Sequence, residues 1–373
     1  MLHQEMQKIL QDLQKVQAKP AVSIFVKTHR TFPDNEKDPI ALKNQLKAAE
    51  DCLKKKHGAE ITQQVMRKIH QELDDFRPNY NLDTLAIFAS PEQAHVLRFP
   101  FDTVERVVIN DQFAVRDILK SLSSAVHYYA LVITREKGRL IEAIDDRVIH
   151  EFNPEDTDLL ENLPYGAFPV VTDSLATTSA AERSINEDKY LKEFLNHIDK
   201  NLQAVLGRRN LPVILIGDKR NIGFYKEICD QPNVIIATVD NVTYLDNGDA
   251  QHIVNSIQPA LQHYQQQRQL QARQNMQSLY GTPRIRTDLQ EIYRAALEGN
   301  TATLYVRQGH TLPGQLAPEQ QSVILNDAGD IEPQTNDVID DLIELVRKNS
   351  GQVMFLDQTM MEGHDPLVLA TRY

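Results

Sequence analysis

The sequence predicts an α/β protein of three domains, and three observations carry that prediction. A chain of 373 residues exceeds what one hydrophobic core organises. Hydrophobic residues make up 41% and charged residues 25%, the composition of a folded chain with apolar side chains for several cores. Short β-branched runs alternate with helical stretches along the whole length, as layered α/β architectures require.

The first domain, 1–125, opens with leucines at helical spacing that predict a helix over about Leu2 to Gln17. After Pro20, alternating apolar and polar residues predict a strand from Ala21 to Lys27. Thr28 to Pro39 is polar and reads as a loop; helical periodicity resumes over Ile40 to Lys56 and again over about Glu60 to Phe76. Strands Thr84 to Ala89, His95 to Phe99 and Val104 to Ile109 complete the unit.

The second domain, 126–279, begins with a predicted β-meander of Tyr129 to Thr134, Arg139 to Ile144 and Val148 to Phe152. Its turns fall at Lys137-Gly138 and Asp145-Asp146. A stretch from Asn162 to Asp188 follows, with Pro164, Gly166, Pro169 and the small polar run Ser174 to Ser179; loops this long are functional or mobile. Helix Lys189 to Leu206, strand Pro212 to Gly217, helix Phe224 to Cys229 and strand Val234 to Val239 imply a parallel or mixed sheet covered by helices. The Gln-rich stretch from about Asp249 to Leu279 keeps Leu261, Tyr264, Leu270 and Met276 interleaved and reads as one long connecting helix.

The third domain, 280–373, reads as helix Asp288 to Leu297, strands Ala302 to Val306 and Ser322 to Leu325, helix Asn336 to Lys348, and strands Gln352 to Leu356 and Leu367 to Ala370. This is the pattern of a compact α/β/α sandwich.

Charge is polarised along the chain. The net charge is −12, yet residues 1–56 hold eleven Lys/Arg against seven Asp/Glu, while residues 298–373 hold four against twelve. Phosphate backbones are bound by local cationic clusters, so an acidic total leaves RNA contact open to the amino-terminal end; from charge alone, solvated helix faces explain these residues equally well.

Several chemistries lose their usual signatures. There is no phosphate-cradling GxxxxGK[ST], GxGxxG, GxSxG or HExxH, and the twelve histidines have no metal-ligand spacing. Cys52 and Cys229 build neither a disulfide framework nor a zinc site. No cofactor and no metal are expected. The amino terminus does not read as a signal peptide, and the apolar runs are too short to span a bilayer, so the expected location is cytoplasmic. Gly217 to Asn221 follows a buried strand and reads first as a charged turn; Arg208, Arg209, Lys219 and Arg220 are a candidate basic patch around it.

Specific segments carry a resemblance. Tyr129 to Thr134 with Gly138-Arg139-Leu140 and Val148 to Phe152, then Arg286 to Leu289, Ala295 to Gly299 and Thr303 to Val306, resemble the archaeo-eukaryotic release factor and Pelota family. Ala21 to Lys27 with Lys37-Asp38-Pro39 and Leu42-Lys43-Asn44 resembles its bacterial branch. The resemblance implies an α/β decoding-site domain, an RNase-H-like middle domain and an L7Ae-like α/β/α domain.

It implies no peptide release. Release factors of this family place a Gly-Gly-Gln tip at the peptidyl-transferase centre to position water, and here Asn162 to Asp188 has no Gly-Gly pair. No glutamine occurs between Gln112 and Gln203. The expectation is a non-enzymatic, codon-independent ribosome hibernation factor, a monomer in the A site of the 70S ribosome, engaging EF-Tu and neither membrane nor DNA. His29, Arg30, Pro33, Asn35, Lys37, Lys43 and Asn44 are the candidate contacts to 16S rRNA at the decoding centre. Tyr165, Ser174, Thr177, Thr178 and Arg183 are the candidates for a loop reaching 23S rRNA at the peptidyl-transferase centre. Two other readings compete: a rescue enzyme or nuclease using carboxylates such as Asp145 and Asp146, and an adaptor that binds a GTPase without the ribosome.

Overall fold

The computed structural model describes residues 3–16, 18–30, 33–74, 81–156, 163–172, 187–243, 245–317, 322–325 and 337–373. The fold is mixed α/β. Two compact units divide the chain: residues 1–124 together with 269–373, and residues 125–268.

The amino-terminal part of the first unit runs α1 (His3–Lys15), β1 (Ala21–Lys27), a 3-10 turn (Asp34–Lys37), α2 (Asp38–Asp74), β2 (Thr84–Ala89), β3 (Ala94–Phe99), β4 (Arg106–Asn110) and α3 (Arg116–Ser124). The strands pair antiparallel in the order β3-β2-β1-β4. Strand periodicity sends Val22, Ile24 and Val26 against α2 and Ala21 and Phe25 against α1 and α3, so β1 is buried on both faces. α2 is interrupted at Gly58, whose φ of 82° and ψ of 173° lie outside anything a helix uses. The break lets both halves cover one sheet face: Ala49 and Leu53 before it, Val65 and Ile69 after it, all bury in the same core.

The second unit holds β5 (His127–Ile133), β6 (Lys137–Ile144), β7 (Arg147–Glu151), β8 (Val170–Val171), α4 (Glu187–Arg208), β9 (Val213–Gly217), α5 (Lys219–Ile228), β10 (Ile235–Val239), α6 (Ala250–Ser256) and the start of α7 (Gln258–Gln277). Its sheet is ordered β10-β9-β5-β6-β7, parallel among β10, β9 and β5 and antiparallel through β5-β6-β7, with β8 added beside β6. A meander followed by two parallel strands is the RNase-H-like arrangement that the resemblance implies. Tyr129, Leu131 and Leu215 face α4 and α5, whereas Tyr128, Ala130 and Ile214 face α6. Gly138 is required by close packing, since a Cβ there would lie 2.5 Å from Ile198 of α4. The expected single helix over 249–279 is two, parted at Ile257, where φ −93° and ψ 0° leave the α region. Ile257 is itself buried in the core, so packing overrides helical continuity.

The carboxy-terminal part of the first unit contains β11 (Ile285–Arg286), α8 (Leu289–Leu297), β12 (Thr303–Arg307), β13 (Gly314–Ala317), β14 (Ser322–Leu325), α9 (Val338–Lys348), β15 (Gln352–Leu356) and β16 (Leu367–Ala370). The sheet is β11-β16-β12-β15, with β12 parallel to β15. Leu304 and Leu369 face α8 and α9, while Tyr305 and Val368 face Ala272 and Met276 of α7, giving α/β/α layers. β14 does not join this sheet; it pairs with β13 as a separate hairpin.

Candidate nucleic-acid interface

The segment between β1 and α2 is built around one carboxylate. Asp38, 3% exposed, accepts the backbone N–H of His29 at 3.0 Å and the Nδ2–H of Asn81 at 2.9 Å on Oδ2, and its Oδ1 lies 2.8 Å from His29 Nδ1. Its place in the first turn of α2 lets the helix dipole favour the charge, and Pro39 follows where no N–H is needed. Arg30 pairs with Asp83 through two nitrogens, Nε donating to Oδ1 at 2.7 Å and Nη2 to Oδ2. His29 and Arg30 therefore act first as ties between this segment and the start of β2.

Lys37 and Asn35 sit on the 3-10 turn rather than in an irregular loop, because Pro33 starts the turn and the Glu36 N–H returns to its carbonyl at 3.1 Å. Pro33 and Lys37 are exposed, as are Lys43 and Asn44 on α2. Ile40, Lys43, Lys47 and Lys54 recur at helical spacing on one outward face of α2, broken by Glu50 and Asp51. Lys43, Lys47 and Lys54 have no ion pair among the described residues, and Ile40 is 65% exposed beside them. Long unpaired ammonium groups around an apolar side chain suit phosphate contact with base or sugar packing between. The sequence reading named Lys43 and missed Lys47 and Lys54, which the i, i+4, i+11 spacing would have found.

The stem of the long middle-unit loop is pinned. Asn201, fully buried on α4, accepts the Tyr165 N–H at 3.0 Å and donates to the Gly166 carbonyl at 2.8 Å. Phe168 is buried in the core and β8 returns the chain to β6. The Tyr165 ring stacks on His197 with centroids 3.8 Å apart and planes 11° apart. Ser174, Thr177, Thr178 and Arg183 lie outside the described residues.

The four cations of the candidate patch divide between opposite ends of β9: Arg208 and Arg209 precede the strand, Lys219 and Arg220 follow it. Five strand residues separate them by roughly 16 Å. Arg209 is bound to Glu142 at 2.8 Å, Lys219 stands 3.6 Å from Asp240, and Arg220 pairs with Asp188. The His127 hydrogen bond, with help from Arg209, holds the Glu142 carboxyl below its usual range.

Asp145 is committed to its turn. It adopts φ 50°, its Oδ1 accepts the Val126 N–H at 2.9 Å, and its carbonyl accepts the Tyr128 hydroxyl at 3.0 Å and the Gln258 amide at 3.1 Å. Burial raises its carboxyl pKa, and Asp146 next to it is exposed. No group of three metal-ligating side chains is assembled among the described residues. No helix among them is long and apolar enough to cross a membrane.

Residues 127–300 match the family described as bacterial archaeo-eukaryotic release factor family 3. No curated protein matches the chain. Solved structures similar to it include the archaeal translation termination factor aRF1, 13% identical over 100% of this chain and 99% of that one, with a TM-score of 0.25. Archaeoglobus fulgidus Pelota is 12% identical over 78% and 79%, with a TM-score of 0.36. Dom34 of S. cerevisiae, described as a translation termination-like factor involved in RNA quality control and interacting with Hbs1, is 10% identical over 99% and 93%, with a TM-score of 0.34.

Proposed function

We propose that this bacterial archaeo-eukaryotic release factor-like protein occupies the A site of the 70S ribosome as a hibernation factor of the kind represented by Balon, which its sequence resembles. The supporting observation is the exposed cationic face of α2, Lys43, Lys47 and Lys54, beside the tied segment of His29 and Arg30. In this reading that surface meets 16S rRNA, and the loop whose stem Asn201 holds extends toward 23S rRNA.

Occupancy without peptide release is read from the missing Gly-Gly-Gln: Asn162 to Asp188 has no Gly-Gly pair and no glutamine, so the family's water-positioning group has no counterpart in that loop. EF-Tu is the proposed delivery partner, the exposed Glu298, Asp357, Glu362 and Asp365 offering it a surface unlike RNA.

Sedimentation of the purified chain with vacant and with translating 70S ribosomes, scored for peptidyl-tRNA release in the same tubes, tests the reading. Binding without release is expected. Release would make the protein a hydrolase, and absence of binding would leave an adaptor for a GTPase.

A further inference from the structure

Residues 106–117 and helix α9 meet over a surface whose charges do not balance. Arg116 serves two of its carboxylates, with Nη1 2.8 Å from Asp337 Oδ2 and Nε 3.0 Å from Asp340 Oδ1. Arg106 is taken by Asp117 at 2.7 Å. Among the described residues of the amino-terminal part, Asp341 and Glu344 are met by neutral amides: Asn110 Nδ2 donates to Asp341 at 2.7 Å, and Gln14 Nε2 to Glu344 at 3.3 Å. Asp340 is 9% exposed and meets Arg116 as an ion pair without hydrogen-bond alignment.

The other facing groups do not restore neutrality. Arg347 of α9 lies near Glu344, so Arg106, Arg116 and Arg347 stand against Asp117, Asp337, Asp340, Asp341 and Glu344. His310, after β12, is held toward the neutral form by burial and by Arg307. Tyr293 of α8 is kept protonated by burial and by Asp341. Like charges gathered out of water raise the free energy of the ionised state, and a bound proton relieves it.

We propose that this surface is a proton-operated latch: docking of the amino-terminal segment on α9 takes up a proton on the Asp340 and Asp341 carboxyls, and loss of that proton lets the two part. Burial and the neighbouring Asp340 push Asp341 up to about 7, and burial raises Asp340 and Glu344 as well. The docked carboxyl holds its proton more tightly than a free one, whose ordinary value is 3.8. Docking is therefore strongest in acid, weakens as pH rises above that ordinary value, and has lost the full contribution once pH passes about 7. The freedom of the segment that carries Lys43 and Lys47 becomes a function of pH near neutrality, whatever that segment binds.

Hydrogen exchange of the full chain, wild type against Asp341→Asn, tests the latch from about pH 5.5 to about pH 8.5, because Asn keeps the shape and never ionises. Comparing the two proteins at each pH cancels the intrinsic pH dependence of exchange. Peptides covering 106–117 and 338–348 should differ least between the two proteins at the acid end, and the excess exchange of the wild type should grow by about tenfold or more toward the alkaline end, one raised pKa unit being a factor of ten in the docking equilibrium. The strands at 127–144 should show no difference. Parallel protection across the range, or a loss spread over every peptide, overturns the proposal. Should Asp341→Asn fail to fold, Glu344→Gln carries the same comparison with a smaller expected difference, and equal rates would again overturn it.

Discussion

His29 is held by Asp38 twice, through its backbone N–H at 3.0 Å and its ring Nδ1 at 2.8 Å. A buried carboxylate that organises three donors leaves all three stranded when it is removed. Asp38→Ala should lower the unfolding free energy by about 2–4 kcal/mol, and Asp38→Asn by less, since its amide oxygen can still accept from His29 N and Asn81 Nδ2 while its NH2 donates to a His29 Nδ1 in the other tautomer. Urea unfolding followed by circular dichroism measures both. A change within about 0.5 kcal/mol for the alanine variant would mean the segment is held by something else.

Charge reversal on α2 separates contact from scaffolding. Lys43→Glu with Lys47→Glu should weaken 70S binding by about tenfold or more and reduce the slope of log affinity against log salt by about 2, one per lost phosphate contact. Arg30→Ala should instead act through the tie to Asp83, weakening binding with a stability loss visible in thermal unfolding. An unchanged slope in the double variant would remove α2 from the RNA-contacting surface.

Gly58 occupies a backbone region open essentially to glycine alone, with nothing within 4 Å of where a Cβ would sit. Its requirement is conformational rather than steric. Gly58→Ala should cost about 1–3 kcal/mol, and Gly58→Asn should not recover it, because a ψ of 173° is far from the left-handed region that asparagine tolerates. Matching melting temperatures for wild type and alanine variant would show that α2 can straighten without penalty.

The loop stem depends on Asn201, whose amide makes one bond as acceptor and one as donor. Asn201→Asp keeps the first and sets a carboxylate against the Gly166 carbonyl; Asn201→Ala loses both. Each should destabilise the second unit by about 1–3 kcal/mol and speed proteolytic cleavage between residues 163 and 172. Cleavage at the wild-type rate in both variants would show that Phe168 alone anchors the stem.

How far the sequence disclosed these features depended on range. Ala21–Lys27, Thr84–Ala89 and the meander of 127–151 were legible because β-branched runs end at turn residues. The hairpin partner Gly314–Ala317 was not, since a four-residue strand has too little periodicity to register. The break at Ile257 was hidden because an apolar residue at helical spacing fits a continuous helix and a buried bend alike. The cationic character of α2 could be read directly, whereas the pairing of Arg30 with Asp83, 53 residues away, could not. The same holds for Arg116 and its carboxylates more than 200 positions later.

That last separation bears on how the chain comes off the ribosome that makes it. Residues 125–268 contain every strand of their own sheet and can close as soon as they emerge. The guanidinium of Arg116 must wait for Asp337 and Asp340, which are translated 221 and 224 residues later. At about 5–20 residues per second the delay is some ten to forty seconds, during which an apolar and cationic surface stays open to solvent and to chaperones. The segment before residue 125 is thus synthesised ahead of the middle unit and completed after it, and nascent-chain quality control has its widest window there.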